Sequence, residues 1–258
     1  MKTVKTRGLV IKEFETKESD KRLLVLCKGL GRIMVYARGA KKTKSKFLAS
    51  SQLFAYSDFL LAVGQGFYSM AQTEVIRSFY DVRLDYDSLM AAHLFAEVCD
   101  KSTFAEHNLD GLLFLTLKSL GVLVKNTYPV QQVTVVFMLL ALSFHGLKPV
   151  TEGCTVCNKP LCTFGAQLYF AAEGLTCGNC CLGKKTINID SASLNAVKHI
   201  LNSQLAESFL FKASENVLAK LTEAVFFLWD SHFDVELKSV TQHRDARQEA
   251  RLLSFRPT

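Results

Sequence analysis

The sequence predicts a multidomain α+β chain: a five-stranded OB-type β-barrel at the N-terminus, then an all-α domain interrupted by a four-cysteine ribbon. Three observations predict it. Residues 3–80 alternate apolar and polar positions between glycine-rich and polar turns, as half-buried strands do. From Asp85 the apolar repeat lengthens to that of a helix. Two Cys-x-x-Cys pairs, Cys154/Cys157 and Cys177/Cys180, stand 19 residues apart. The expected domains are 1–80, binding nucleic acid, and 81–258, helical, with the ribbon inserted at about 150–183.

The first strand carries Leu9, Ile11 and Phe14 on one face, and Leu23–Cys27 makes the second after the polar turn at 17–20. Gly29 and Gly31 lead into a third strand, where Ile33, Val35 and Ala37 alternate with Arg32, Met34, Tyr36 and Arg38. Leu53–Val63 and Phe67–Phe79, separated by Gly64-Gln65-Gly66, supply the fourth and fifth. Five short strands in so few residues match an OB barrel, whose loops and strand face bind oligonucleotides. Strand count alone fits an SH3-like barrel as well.

Asp85 or Asp87 caps a first helix bearing Leu89, Ala92, Phe95, Ala96 and Cys99, and Asn108 or Asp110 starts a second through Val124. Pro129 opens a third, which runs to about Phe144 and stops at Gly146 and Pro149. Its nearly all-round apolarity calls for a buried position. Its apolar run, Val133–Phe144, is too short to span a bilayer. After the ribbon, Asp190 or Ser191 caps a helix to Asn202. Ser214 caps a longer one through Phe233, with the stripe Val217, Leu218, Leu221, Val225 and Leu228. The polar tail from Gln242 is expected to be loosely ordered.

The net charge of +7 is unevenly placed. Residues 1–50 hold 14 Lys and Arg against 4 acids, and the remaining 208 hold 17 against 20. A basic N-terminal fifth on a near-neutral body is the footprint of a nucleic-acid-binding domain. Arg38, Lys41, Lys42, Lys44 and Lys46 put five cations into nine residues directly behind the third strand, with no acid among them. Gly39, Thr43 and Ser45 break any helical stripe, so the charges fall on a loop or hairpin tip suited to a polyanion. Tyr36, Phe47, Phe54 and Tyr56 are nearby aromatics that could stack on bases, with the barrel core the alternative for Phe47 and Phe54.

No signal-peptide core follows Lys2, Lys5 and Arg7, so the expected compartment is a reducing cytoplasm, where eight cysteines do not form a disulfide framework. Six of them lie between 154 and 181, with the pair spacing of a zinc ribbon. Two Cys-x-x-Cys turns complete a tetrahedral shell of thiolates with no open position for water, which makes a Zn²⁺ at Cys154, Cys157, Cys177 and Cys180 structural. Cys162 and Cys181 are surplus, and Cys181 competes with Cys180 as the fourth ligand. Cys27 and Cys99 belong to apolar faces. Catalytic constellations are absent: there is no Gly-x-Ser-x-Gly, no phosphate-binding Gly-x-x-x-x-Gly-Lys, and no His-x-Glu beside the cysteines. His93, His145 and His199 sit in helical patterns as packing or surface residues.

The order of features resembles the RecO family of bacterial recombination mediators. The likeness is carried by Arg7-Gly8-Leu9-Val10-Ile11-Lys12, Ser19-Asp20-Lys21 with Leu23-Leu24, Ala37-Arg38-Gly39-Ala40-Lys41-Lys42 with Lys44-Ser45-Lys46-Phe47, Gln52-Leu53-Phe54 and Gln72-Thr73-Glu74-Val75. Some family members lack the cysteines. The resemblance implies an OB domain, a helical domain and a zinc ribbon in a protein that is not an enzyme. It implies binding of single- and double-stranded DNA, annealing of complementary strands, and work with RecR to load RecA onto DNA coated by the single-strand-binding protein SSB. The five cations from Arg38 to Lys46 would be its phosphate contacts. The SSB tail would dock on the helical domain, where Lys198, Lys212, Lys220 and Lys238 are available cations. Two other classes compete: an RNA-binding OB adaptor with a structural ribbon, and a zinc enzyme, which needs an open metal position.

Overall fold

In a computed structural model of the chain, residues 2–14, 16, 19–101, 109–160, 168–233 and 237 are described. Strands β1 (Thr3–Phe14), β2 (Lys21–Cys27), β3 (Gly31–Ala37), β4 (Ala55–Val63) and β5 (Tyr68–Ser78) close into a barrel in the order β1-β2-β3-β5-β4. All pairings are antiparallel except one, in which β3 meets β5 in parallel at Val35/Tyr68 and Tyr36/Ser69. This is the five-stranded Greek-key barrel expected from the strand count. Inside it pack Val10, Leu23, Val25, Ile33, Val35, Phe59, Leu61 and Met70. Each such side chain contributes roughly 1.5–3 kcal/mol by leaving water.

The strict alternation expected of β1 fails at Leu9, Val10 and Ile11, which are all buried. The register slips between Val10 and Lys12. In addition, part of the barrel's outer face is covered: helix α1 (Tyr86–Lys101) packs on β1. Its Asp100 pairs with Lys12 at 2.7 Å and with Arg32 at 2.8 Å, tying the helix to two strands. At the start of α2 (Asp110–Lys125), the Asp110 carboxylate accepts the Gly29 N–H at 2.7 Å. By packing, therefore, one compact unit runs from the barrel to Val124 and takes in Leu237, while the second begins at Lys125. A short 3-10 turn at Tyr80–Leu84, which the sequence pattern did not reveal, joins β5 to α1.

In the second unit, α3 (Val130–Phe144), α4 (Ser191–Asn202) and α5 (Glu215–His232) pack on one another. Residues Gln132–Leu139 of α3 are buried continuously, as its apolarity required. The one amide in that run is satisfied, because Gln132 donates to the Phe209 and Phe211 carbonyls at 2.8 and 3.0 Å. Three helix starts are capped as expected: Asp85 accepts from Ser88 N–H, Asp190 from Ser193 and Ser214 from Val217. Strands β6 (Leu168–Ala171), β7 (Gly174–Cys177) and β8 (Ile187–Ile189) form a small sheet in the order β7-β6-β8. Among the described residues no helix is long and apolar enough to cross a membrane.

A basic loop on the barrel and a four-cysteine cluster

Residues 38–54 connect β3 to β4 through consecutive turns, so the basic stretch is a loop and not the tip of a hairpin. It is anchored rather than loose. Ala40 and Phe47 drop into the barrel core. The Asp20 carboxylate accepts the Gly39 N–H at 2.7 Å, and the Lys41 N–H donates to the Ser19 carbonyl at 2.8 Å. Gly39 sits at φ +67°, a conformation that glycine adopts without strain. The core residues turn the polar ones outward, and Arg38, Lys41, Lys42, Lys44 and Lys46 are all exposed.

The five cations are not equivalent. Lys41 Nζ donates to the Thr16 carbonyl at 2.8 Å, and Lys46 Nζ to the Ala71 carbonyl at 3.2 Å. The side chains of Arg38, Lys42 and Lys44 have no hydrogen bond or ion pair among the described residues. Those three are the charges most available to an anion. Of the candidate aromatics, Phe47 and Phe54 are core residues, Tyr56 is half-buried and Tyr36 is exposed.

The cysteine pairs converge. The Sγ atoms of Cys154, Cys157, Cys177 and Cys180 lie within 4.8 Å of one another. Four sulfurs at about 2.3 Å from one tetrahedral ion would stand about 3.8 Å apart. The Cys157–Cys177 separation is 3.8 Å, far longer than a disulfide. Two turns build the cluster. Asn158, at φ +57°, closes the first by donating its N–H to the Cys154 carbonyl, and the Cys180 N–H closes the second on the Cys177 carbonyl. Cys181 Sγ instead donates to the Gly178 carbonyl at 3.0 Å, so the geometry selects Cys180 as the fourth member. Burial works against the Cys154 thiolate, but the N–H groups of Cys157, Cys177 and Val156 outweigh it and bring its pKa down to about 6. The hydrogen bond with Cys177 pushes Cys180 up to about 12. Without a cation the cluster thus favours a thiolate at Cys154 and a thiol at Cys180. A bound dication would favour all four and leave no position open for water.

Other groups singled out in the sequence serve packing. Cys27 and Cys99 are wholly buried, and burial raises both thiols to about 12. His93 packs edge-on to Phe54, and His145 ends α3 against Phe233. Lys198 and Lys220 are paired with Glu152 and Asp190. Cys162, Lys238 and the tail from Gln242 lie outside the described residues. Sequence reasoning missed the anchoring role of Asp20, since no spacing pattern links it to Gly39.

Two family models match the chain: that for the N-terminal part of recombination protein O over residues 1–79, and that for its C-terminal part over residues 83–241. Among similar curated proteins, the DNA repair protein RecO of Acetivibrio thermocellus is 33% identical over 86% of this chain and 88% of its own length. That of Alkaliphilus metalliredigens is 31% identical over 83% of each, and that of Listeria monocytogenes is 31% identical over 68% of each. With both halves matched in order on the barrel and helices described above, the chain belongs to the recombination protein O family.

Proposed function

We propose that this chain is a non-enzymatic DNA-binding mediator of recombination in DNA repair. It binds single- and double-stranded DNA, anneals complementary strands and, with RecR, helps load RecA onto single strands covered by SSB in the bacterial cytoplasm. The observation that carries the reading is the group Arg38, Lys42 and Lys44, exposed and with side chains unpartnered among the described residues on an OB-type barrel, in a chain whose relatives are named DNA repair proteins. Lys41 and Lys46 extend the same positive surface, and residues 1–80 form the nucleic-acid-binding domain of the helical chain. Phosphate contacts of this kind bring strands together without reading sequence, which suits annealing.

Cys154, Cys157, Cys177 and Cys180 hold one structural Zn²⁺ in this reading, because an all-thiolate tetrahedral shell favours that ion. The SSB tail docks on the helical domain. Annealing of complementary oligonucleotides, naked and SSB-coated, tests the proposal. The chain is expected to speed annealing in both cases, and the alanine variant of Arg38, Lys42 and Lys44 to lose most of that effect. A wild-type protein that leaves annealing at its spontaneous rate overturns the reading.

A further inference from the structure

Among the described residues, the outer face of β1–β3 is covered by α1 at one end and bare at the other. At the bare end the strand register lines up Phe14 with Arg22, and Arg22 with Tyr36. Phe67, from the turn between β4 and β5, completes the row by meeting Tyr36 edge to face at 5.7 Å. The Arg22 guanidinium lies 4.8 Å from the Phe14 ring centre, and Lys12 Nζ lies 5.3 Å from the same ring. Arg22 Nε is buried and has no hydrogen-bond partner among the described residues.

Tyr36 is 38% and Phe67 42% exposed, where core rings of this barrel such as Phe54 and Phe59 are 1–2% exposed. The Phe67 ring is nevertheless held in place. A Cβ on Gly64 would stand 2.6 Å from it, so glycine makes room for the ring, and the Gly64 N–H donates to the Phe67 carbonyl at 2.9 Å. Two residues beyond Tyr36, on the same face of its strand, the chain delivers Arg38 and then the loop bearing Lys42 and Lys44. Among the described residues of this turn, the acids are engaged: Glu13 holds Lys21 and the Leu53 N–H, and Asp20 holds Gly39.

We infer that Phe14, Arg22, Tyr36 and Phe67 form a platform on which unpaired bases of single-stranded nucleic acid stack, beside the phosphate-binding loop. The inference rests on the DNA-binding reading above and deepens it by naming what distinguishes a single strand from a duplex. Rings and a guanidinium plane present faces to flat, electron-rich bases, and any base can use them. A duplex keeps its bases stacked inside, so the platform adds nothing to duplex binding.

The test measures binding of the full chain to oligo-dT, to an abasic deoxyribose-phosphate oligomer of equal length and charge, and to duplex DNA. Wild-type protein is expected to prefer oligo-dT over the abasic strand by about tenfold or more. The double variant Y36L/F67L keeps apolar volume and should lose that preference while its duplex affinity and salt dependence stay the same. Equal wild-type affinity for oligo-dT and the abasic strand overturns the platform and leaves the phosphate-binding loop standing, and this comparison needs no variant to fold. A Y36L/F67L protein that keeps the full preference also overturns it. Failure of wild-type protein to bind any of the three overturns the DNA-binding reading itself, and the platform with it.

Discussion

The Asp20 carboxylate takes the Gly39 backbone N–H at 2.7 Å and so fixes the point where the basic loop leaves the barrel. The contact joins the β1–β2 turn to the residue directly after Arg38. Replacing Asp20 by Ala is expected to cost about 1.5 kcal/mol, the worth of a hydrogen bond to a charged acceptor, and to weaken oligonucleotide binding because the loop loses its fixed exit. Asp20→Asn, which keeps an acceptor, should restore most of both. Thermal unfolding and DNA titration of the two variants check this, and an unaffected Asp20→Ala protein refutes it.

The inequality among the loop cations predicts an order. Alanine at Arg38, Lys42 and Lys44 together should flatten the dependence of log affinity on log salt by about 2 units on single strands. Alanine at Lys41 and Lys46 should flatten it less, since their ammonium groups already serve protein carbonyls. Melting temperature should hardly move for the first set, because exposed cations contribute little to stability. Titrations at several salt concentrations, compared between the two sets, decide the matter.

Protein purified without chelator should contain one zinc per chain, with an absorption edge fitted by four sulfurs. Cys154→Ser or Cys177→Ser should release the metal and open residues 150–183 to proteolysis, while oligonucleotide binding persists. Because thiols must lose protons to bind the ion, metal affinity should fall as the solution is acidified. Metal-free wild-type protein with full resistance to proteolysis in that segment counts against the site.

Asp190 caps α4 and pairs with Lys220 at 2.7 Å; the hydrogen bond from Lys220, followed by those from Ser193, lowers its pKa from 3.8 to about 2. A folded-state pKa below the unfolded one gives a stabilisation that is whole above about pH 4 and lost as pH falls towards 2. Asp190→Ala should cost about 1 kcal/mol near neutrality. Asp190→Asn retains the cap and should remove the acid-sensitive part. Denaturant midpoints measured between pH 2 and 6 for the three proteins give the comparison.

Gly174 has φ +132°, and a Cβ placed there would lie 2.3 Å from the backbone N and O of Val150. Gly174→Ala should therefore break the bridge between these two chain segments, cost at least about 2 kcal/mol and loosen metal retention. Unfolding curves and zinc release after brief warming measure both.

Much of the architecture was legible because its periodicities are strong. The five strands, the caps at Asp85, Asp190 and Ser214 and the burial of α3 follow from local patterns. The cysteine cluster was legible from spacing, but the choice of Cys180 over Cys181 needed the turn at Cys177, whose geometry places one sulfur in the cluster and the other on a carbonyl. Two features lay beyond the pattern. Ala40 and Phe47 reach the barrel core from within a run of cations, where no apolar period marks them. The packing of α1 on the barrel depends on Asp100 meeting Lys12 and Arg32, a relation across 68 and 88 residues that local sequence does not encode.

The parallel seam between β3 and β5 is the barrel's shortest pairing, only two residues deep at Val35/Tyr68 and Tyr36/Ser69. A closed cylinder breathes where its lacing is shortest, so the amides around Tyr36 and Ser69 are the ones through which solvent deuterium should first reach the strand backbone. Tyr36 and Phe67 flank that seam. A strand of nucleic acid lying over both rings would act as a clasp, and its presence would register as slowed exchange at a place where the protein itself supplies few ties.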